Sequence, residues 1–315
     1  MKKLLFVSIF LICASGFAAA QEELSLKRDG GTLYGTLLMP EKAAKPPVVL
    51  IIAGSGPTDR NGNQPQMSMN AHKLLAEGLQ AEDIASLRFD KRMIGESRWA
   101  DAREENLVFE DYINDVIALV DMLHSDGRFS DIILAGHSEG SLIAMAAAQN
   151  NSNIAKIISI TGAGRPFDVI LKEQLAAQPI PDNILAEIDT IIESLKRGEK
   201  VEKMTSGIGL ELLFRPSVQP FVITSMRYIP ADLISQLQIP VMVVHGGTDI
   251  QIKETDHNML MAAQPKAVGL FIPDMSHPLK RAATTDQMDQ LPTYTNPDLQ
   301  LHEELIPAMV RFIKK

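Results

Sequence analysis

The chain has 315 residues, of which 45% are hydrophobic and 22% charged, and its formal net charge at pH 7 is −9. This composition is that of a globular protein, and the length accommodates one large α/β domain or two small ones. The negative charge argues against a nucleic-acid partner, which would require a basic surface.

Residues 1–20 predict a secretory signal peptide. Two lysines at positions 2 and 3 precede the apolar run LLFVSIFLICA, and the segment ends in three alanines. This order is typical of a signal peptide, and the apolar run is short for a bilayer span. We therefore expect cleavage after Ala20, export to the periplasm or the medium, and no stable membrane insertion. The single cysteine, Cys13, lies in this segment, so the mature chain would have neither a disulfide nor a cysteine nucleophile.

The elements predicted in chain order alternate between strands and helices. Alternating runs from Leu24 to Pro40 flank the sequence RDGG, which predicts a β-hairpin with a tight turn at Asp29-Gly30. Continuous apolar runs then indicate strands that are buried on both faces. The strand candidates are PPVVLIIAG, DIASLRFD, DIILAG, IAKIISITG, IPVMVVHGG and AVGLFIPD, and the clearest helices are AHKLLAEGLQ, FEDYINDVIALVDML and LQLHEELIPAMVRFIKK. This alternation predicts an α/β fold with a mostly parallel central sheet flanked by helices.

Residues 164–238 interrupt the alternation. They contain helical patterns and no convincing strand, so we expect an all-helical insertion that forms a lid, or cap, over one end of the sheet. The predicted organisation is a signal peptide at 1–20, an α/β core at 21–163 and 239–315, and a helical lid at 164–238.

The stretch ILAGHSEGSLIAMAAA, residues 133–148, places Ser138 between Gly136 and Gly140. A strand that turns at once into a helix forces the turn residue into a strained conformation, and the residues two before and two after must be small. G-x-S-x-G also occurs by chance, but here a strand-like run precedes it and a helix-like run follows it. We therefore predict that Ser138 is an exposed nucleophile and that the amide of Glu139 stabilises an oxyanion.

A serine nucleophile needs a base and an acid that orients the base, and in this fold type both come later in the chain. Asp249 follows the strand IPVMVVHGG and is the favoured acid, although it could instead serve a turn or a helix cap. Asp256 and Glu254 are the nearby alternatives. His277, in FIPDMSHPLK directly after the last strand, is the predicted base.

The remaining histidines of the mature chain have other predicted roles. His137 adjoins the serine, but neighbours on a strand point to opposite faces, so we expect it to be structural. His245 ends a buried strand and is expected to be a core residue. The others are expected at the surface: His72, His124, His257 and His302. No pair has metal-ligand spacing within a helix, so we expect no metal and no cofactor.

The loop IIAGSGPTDRNGN, residues 51–63, follows the first buried strand and is rich in glycine and small polar residues. An oxyanion hole takes its second amide from the loop at this place. We expect that amide to be Ser55, with Gly56 as the alternative. A phosphate-binding loop is disfavoured because neither G-x-G-x-x-G nor a lysine-ended P-loop is present.

The motifs GHSEG, GGTD and MSHPLK, in this order, resemble those of the α/β-hydrolase superfamily. Together with GSGPTDRNGN and SLRFDKRMIGES, they are similar to exported bacterial serine hydrolases of the esterase and serine aminopeptidase branch. The resemblance covers most of residues 24–315 apart from the lid. It implies Ser138 as nucleophile, His277 as general base and then acid, Asp249 as orienting carboxylate, and the amides of Ser55 and Glu139 as the oxyanion hole.

One position departs from this resemblance. Related sequences usually carry glycine after DKR, where this chain has Met93. The shape of this loop near the site is therefore in question, although the chemistry is not. Asp90 and Arg92 are expected to hold the loop by hydrogen bonds.

The leading functional interpretation is a carboxylesterase that cleaves short or medium acyl esters through an acyl-enzyme. Four lid residues are candidate walls of an apolar acyl pocket, or else simply pack within the lid: Phe214, Phe221, Met226 and Tyr228.

The first alternative is an aminopeptidase, which needs an acidic group for the free amine, with Glu139, Glu211 and Asp232 as candidates. A non-catalytic binding protein on the same fold is a second alternative, disfavoured by the complete triad, and a lyase or perhydrolase using the same triad is a third.

Overall fold

A computed structural model of the chain describes residues 20–149, 151–205 and 209–315. Of the predicted signal peptide, only Ala20 is among these residues, so cleavage and export stay predictions. Within the described ranges, no helix combines the length and the hydrophobicity that a membrane crossing requires.

The strands and helices follow one another through the described residues much as their apolar patterns predict. The strands are β1 (Ala20–Arg28), β2 (Gly31–Met39), β3 (Val48–Ile52), β4 (Ala85–Phe89), β5 (Arg98–Trp99), β6 (Ile132–His137), β7 (Ile154–Ile160), β8 (Val241–Gly246) and β9 (Val268–Ile272). The helices are α1 (Ala71–Ala81), α2 (Phe109–Asp126), α3 (Glu139–Ala147), α4 (Phe167–Ala176), α5 (Asp182–Lys196), α6 (Leu210–Phe214), α7 (Gln219–Ser225), α8 (Pro230–Gln236), α9 (Glu254–Ala263), α10 (Gln287–Thr295) and α11 (Leu305–Ile313), and Glu104–Asn106 form a 3₁₀ turn.

The strands form one sheet in the order β1-β2-β4-β3-β6-β7-β8-β9, with β5 added beside β2. The predicted hairpin is confirmed: β1 and β2 are antiparallel, Arg28 faces Gly31, and Gly30 in the turn has a φ of 75°. From β4 to β9 every neighbouring pair is parallel. The predicted mostly parallel sheet is therefore also confirmed.

Helices cover both faces of this sheet. The apolar residues of α2 and α3 form one core cluster with one face, while α1 and α11 form a second cluster with the opposite face. Strands β3, β6 and β8 are buried along their whole length, which explains their continuous apolar sequences. Because parallel strands end at the same edge, the loops after β3, β6, β8 and β9 meet there.

Five helices, α4 to α8, lie between β7 and β8 in the chain. Apolar side chains of α5, α6 and α7 form a cluster of their own around Ile188, Ile192 and Phe214. The last helix differs, because Ile234 of α8 belongs to the core cluster of the sheet. The predicted lid range of 164–238 thus ends on a helix that packs with the core, and its role as a lid stays a prediction.

Candidate active site

Ser138 lies in the sharp turn between β6 and α3. Its φ of 55° and ψ of −123° are unusual for a residue with a side chain, and such strain costs about 1–3 kcal/mol. The flanking glycines permit the turn, because a Cβ on Gly136 would lie 2.2 Å from the carbonyl oxygen of Gly140. A Cβ on Gly140 would in turn lie 2.3 Å from the carbonyl oxygen of Ile52. The turn therefore presents the serine at the carboxyl edge of the sheet.

The predicted base and acid form a buried pair at the same edge. Nδ1 of His277 is 2.7 Å from Oδ2 of Asp249, whose side chain is fully buried. The other carboxylate oxygen accepts hydrogen bonds from the amides of Gln251, at 2.7 Å, and Ile252, at 3.0 Å. A carboxylate accepts, so Nδ1 of His277 donates and Nε2 is left with a lone pair. This is the tautomer that a general base requires.

The predicted serine and base lie on the walls of one cavity. Its volume is about 270 Å³, and it is lined by Ser138, His277 and Ser55, together with Gly54 and Gln251. The structure thus brings together the nucleophile, the base with its bound acid, and one predicted oxyanion residue. The alternative acids lie elsewhere: Asp256 binds the backbone and guanidinium of Arg165, and Glu254 is exposed at the start of α9.

The two predicted oxyanion amides come from different strands. Glu139 is the first residue of α3, where backbone N–H groups have no acceptor within the helix. Ser55 is exposed in the loop after β3, and Gly54 beside it passes close to the nucleophile. A Cβ built on Gly54 would lie 3.6 Å from Oγ of Ser138. An acyl oxygen at this place would therefore meet groups from both loops.

His137 faces the site, although its place on a strand beside Ser138 suggested that it points to the opposite face. Its Nε2 is 2.9 Å from the carbonyl oxygen of His277, and the two rings are 4.9 Å apart. Because a carbonyl only accepts, Nε2 donates, and Nδ1 is free to accept from Nε2 of His72 at 3.4 Å. Two neutral histidines thus support the backbone of the base.

The prediction that His72 lies at the surface is wrong, because its side chain is 1% exposed. His257 and His302 are buried as well, and only His124 of these four is exposed. Each lies on an element whose polar neighbours suggested solvent exposure. Burial in this chain therefore depends on which face of the helix or loop meets the sheet.

Burial, together with the charges of Arg88 and Lys91, lowers the pKa of His72 to about 3. The unfolded chain takes up a proton on this histidine near pH 6.5, whereas the folded protein does not, so protonation favours unfolding. We expect the unfolding free energy to fall between pH 6.5 and pH 4, and to fall less steeply in His72→Gln. Denaturant titrations at several pH values test this. The exposed His124→Gln variant should keep the wild-type slope, and equal slopes in all three proteins would contradict the expectation.

A second cavity, of about 90 Å³, adjoins the first and shares Ser55, Ser138 and Gln251 with it. Its walls are mostly apolar, and its polar side chains include those of Glu139 and Arg165. The apolar lining consists of Phe109, Leu142, Ala163, Phe167, Ile170, Leu171, Pro230 and Ile252.

None of the four predicted wall residues lines either cavity beside the serine. Phe214 is fully buried within the cluster of α5–α7, and Met226 packs against it. Phe221 and Tyr228 lie one layer behind the cavity, with ring centroids 5.6 Å and 5.2 Å from that of Phe109. The prediction is corrected accordingly: Phe109 from the core lines the cavity, and the three lid aromatics and Met226 do not.

The loop after β4 is held as predicted. The carboxylate of Asp90 accepts hydrogen bonds from the backbone and guanidinium of Arg60 and from the amide of Glu96. Arg92 binds Asp115 of α2. Met93, where the resemblance implied a glycine, has a φ of 70°, a conformation that favours glycine. The loop therefore keeps the glycine conformation without the glycine.

The structure shows no group of three or more histidine, cysteine, aspartate or glutamate side chains placed to hold a metal ion among the described residues. The acidic candidates for binding a free amine are separated. Glu139 lines the second cavity, Asp232 is exposed on α8 away from it, and the side chain of Glu211 lies outside the described part of the structure.

Comparison with known proteins identifies relatives of this chain. Esterase EstD of Thermotoga maritima is 26% identical over an alignment of 241 residues that covers 72% of this chain and 52% of EstD. This chain thus spans about half the length of that curated relative. Est1E from Butyrivibrio proteoclasticus, solved with ferulic acid bound, has a TM-score of 0.62 at 20% identity and covers 93% of this chain and 100% of its own. The Pyrococcus furiosus esterase Pf2001 has a TM-score of 0.60 at 14% identity, covering 94% and 91%.

The structural similarities confirm the predicted α/β-hydrolase fold. Residues 66–279 match the family described as serine aminopeptidase, S33. The matched range covers more than half of the chain and includes Ser138, Asp249 and His277. This chain therefore belongs to the serine aminopeptidase S33 family of α/β-hydrolases.

Proposed function

We propose that this protein is a serine hydrolase that cleaves carboxylic esters of short to medium acyl groups through an acyl-enzyme on Ser138. The observation that carries the proposal is a strained serine on the wall of a cavity that also holds a histidine bonded to a buried aspartate. Family membership and similarity to two proteins named as esterases support it.

The reaction follows from the groups at the site. Nε2 of His277 takes the proton from the hydroxyl of Ser138 as its oxygen attacks the ester carbonyl. The buried carboxylate of Asp249 stabilises the imidazolium, and the amides of Ser55 and Glu139 bind the oxyanion. The C–O bond to the alcohol then breaks, and His277 returns the proton to the departing oxygen. Water, activated by the same base, attacks the acyl-enzyme and releases the acid.

The two cavities receive different parts of the ester. His277 lines the larger cavity and not the smaller one. Because the leaving alcohol takes its proton from His277, the alcohol occupies the larger, more polar cavity. The acyl group then occupies the smaller apolar cavity on the other side of Ser138. A cavity of about 150 Å³ holds benzene, so the 90 Å³ of this acyl cavity accommodates on the order of four carbons.

The aminopeptidase alternative places a free amine in the acyl cavity, because the amino-terminal residue of a peptide is its acyl part. The carboxylate of Glu139 is the acidic group there, but the buried Lys91 lies 3.6 Å from it. Arg165 lines the same cavity and binds Asp256 and Glu173, and Lys253 also binds Glu173, so these three carboxylates, with Glu139 among them, are balanced by three cations. A substrate cation would therefore meet no excess of negative charge, which favours the neutral acyl group of an ester.

A panel of p-nitrophenyl esters and aminoacyl p-nitroanilides tests this proposal. We expect esters to be the better substrates, with kcat/KM highest near four acyl carbons. For an acyl group of ten carbons, kcat/KM should be at least about tenfold lower, since overpacking costs about 1–3 kcal/mol. Ile170→Ala, which enlarges the acyl cavity, should shift the optimum to longer chains, whereas the exposed Val169→Ala should not.

Three outcomes would count against the proposal. Preferred turnover of the anilides would favour the aminopeptidase. Absence of turnover, together with no fluorophosphonate labelling of Ser138, would favour a non-catalytic binding protein. Products other than the acid and alcohol would favour the lyase or perhydrolase.

A further inference from the structure

Lys91 is a buried cation that the proposed reaction leaves without a role. It follows β4 in the DKR motif, and its side chain is 2% exposed. Its Nζ donates a hydrogen bond to the carbonyl oxygen of Gly54, lies 3.6 Å from Oε1 of Glu139, and sits 4.9 Å from the ring centroid of Tyr112. Burial of an ammonium group is unfavourable unless partners compensate it. Both polar partners of this lysine belong to the loops that surround Ser138.

The bond to Gly54 constrains the first oxyanion donor. The carbonyl oxygen of Gly54 and the N–H of Ser55 belong to one peptide group, which is planar and points them in opposite directions. A group that holds the oxygen therefore fixes the direction of the N–H. The ammonium group of Lys91, bonded to this oxygen, also polarises the peptide group and strengthens its N–H as a donor.

The ion pair with Glu139 links Lys91 to the residue that carries the second oxyanion amide. Glu139 contributes its own amide to the site, and its carboxylate lies beside Lys91. Among the described residues, Oε1 has no hydrogen-bond partner. Burial raises the pKa of Glu139 and lowers the pKa of Lys91, while the attraction between the two charges opposes both shifts. The lysine thus contacts the peptide group that carries the Ser55 amide and the side chain of Glu139, whose own amide is the second donor.

We propose that Lys91 is a positioning residue that holds the amides of Ser55 and Glu139 in the geometry that binds the oxyanion. The inference rests on the proposed function. Lys91 lines neither cavity, so it acts through these two residues and does not contact the substrate.

Lys91→Met tests the inference, because methionine keeps the length of the side chain and removes its charge and donors. Loss of one oxyanion donor lowers kcat by about 10²–10³-fold, so a misdirected donor should lower it by about 10–100-fold. KM should change little, because the ground-state ester makes weaker contacts with these amides. The inhibition constant of a trifluoromethyl ketone, whose adduct with Ser138 is an alkoxide, should rise by the same factor as kcat/KM falls.

Two further variants separate positioning from stability. Lys91→Met leaves Glu139 as an unpaired buried carboxylate, so it also lowers the unfolding free energy. In Lys91→Met/Glu139→Gln the charge is removed, and we expect the unfolding free energy to recover while kcat and inhibitor affinity stay low. Lys73→Met, at a half-exposed position on α1, is the matched control and should behave as wild type.

The outcomes distinguish this inference from the proposed function. A double variant with wild-type kcat and inhibitor affinity would overturn the inference alone, because Lys91 would then only neutralise Glu139. Wild-type protein that neither turns over esters nor reacts with a fluorophosphonate at Ser138 would overturn the proposed function and this inference with it.

Discussion

Ser138→Ala is expected to lower kcat on p-nitrophenyl butyrate by about 10⁴–10⁶-fold, the range found when single members of such a triad are removed. Without the hydroxyl no acyl-enzyme forms, and the oxyanion amides and cavities alone give little acceleration. The fold should persist, because alanine needs no more room in the turn and the bond from the amide of residue 138 to the carbonyl of Ile160 remains. Circular dichroism and denaturant titration check the fold, and initial rates check kcat.

Ser141→Ala is the matched control for this variant. Ser141 lies one turn further along α3, and its buried hydroxyl is bonded to that of Ser159 at 2.7 Å, outside both cavities. We expect it to lose about 1 kcal/mol of stability and to keep its kcat. A fluorophosphonate should label wild type and Ser141→Ala, but not Ser138→Ala. Equal turnover by Ser138→Ala and wild type would reject the site assignment.

The parts of the site that the sequence predicts are those that local backbone geometry controls. The small residues around Ser138 are required by the turn itself, so the motif identifies the strand, the turn and the helix together. Asp249 and His277 follow from strand order, because the loops after parallel strands meet at one edge. The position of Ser138 thus needs only a short segment, and the positions of Asp249 and His277 need only the order of the strands.

The residues that sequence reasoning missed depend on contacts between distant segments. His72 and Lys91 carry polar side chains in ordinary helix and loop patterns. Burial of His72 depends on the fit of α1 against β6, and burial of Lys91 depends on the fit of the β4 loop against the loop after β3 and the start of α3. Phe109 replaces the predicted wall residues for a similar reason. The aromatic side chains Phe221 and Tyr228 of the lid segment pack behind Phe109. A place in the lid sequence therefore does not predict contact with the cavity beside Ser138.

The positive φ of residue 93 could have been predicted from the resemblance, although methionine does not favour it. The resemblance implied a glycine at this position, glycine is the residue that adopts a positive φ most readily, and Met93 has a positive φ. The loop keeps this conformation because Asp90 and Arg92 fasten it on both sides, to Arg60 and to α2. The tertiary bonds here outweigh the preference of a single residue, and only the structure shows them.

Asp249→Asn is expected to lower kcat by about 10⁴-fold with little change in stability. Oδ1 of Asp249 already accepts hydrogen bonds from the amides of Gln251 and Ile252. The oxygen of asparagine must keep this place, because its NH₂ group cannot accept these bonds. The NH₂ group then lies where Oδ2 was, 2.7 Å from Nδ1 of His277. It donates to Nδ1 and forces the proton onto Nε2, which can no longer take the proton of Ser138.

The exposed carboxylate of Glu254, five residues along the chain, provides the matched control. Glu254→Gln removes one negative charge from the same loop region without contacting His277, and should leave kcat unchanged. Asp256→Asn should instead lower stability, because Asp256 is buried and binds Arg165. Measured kcat and unfolding free energies for the three variants separate the roles. If Asp249→Asn kept kcat within about tenfold of wild type while Asp256→Asn lost it, the acid would be Asp256, and the bond between Asp249 and His277 would be structural.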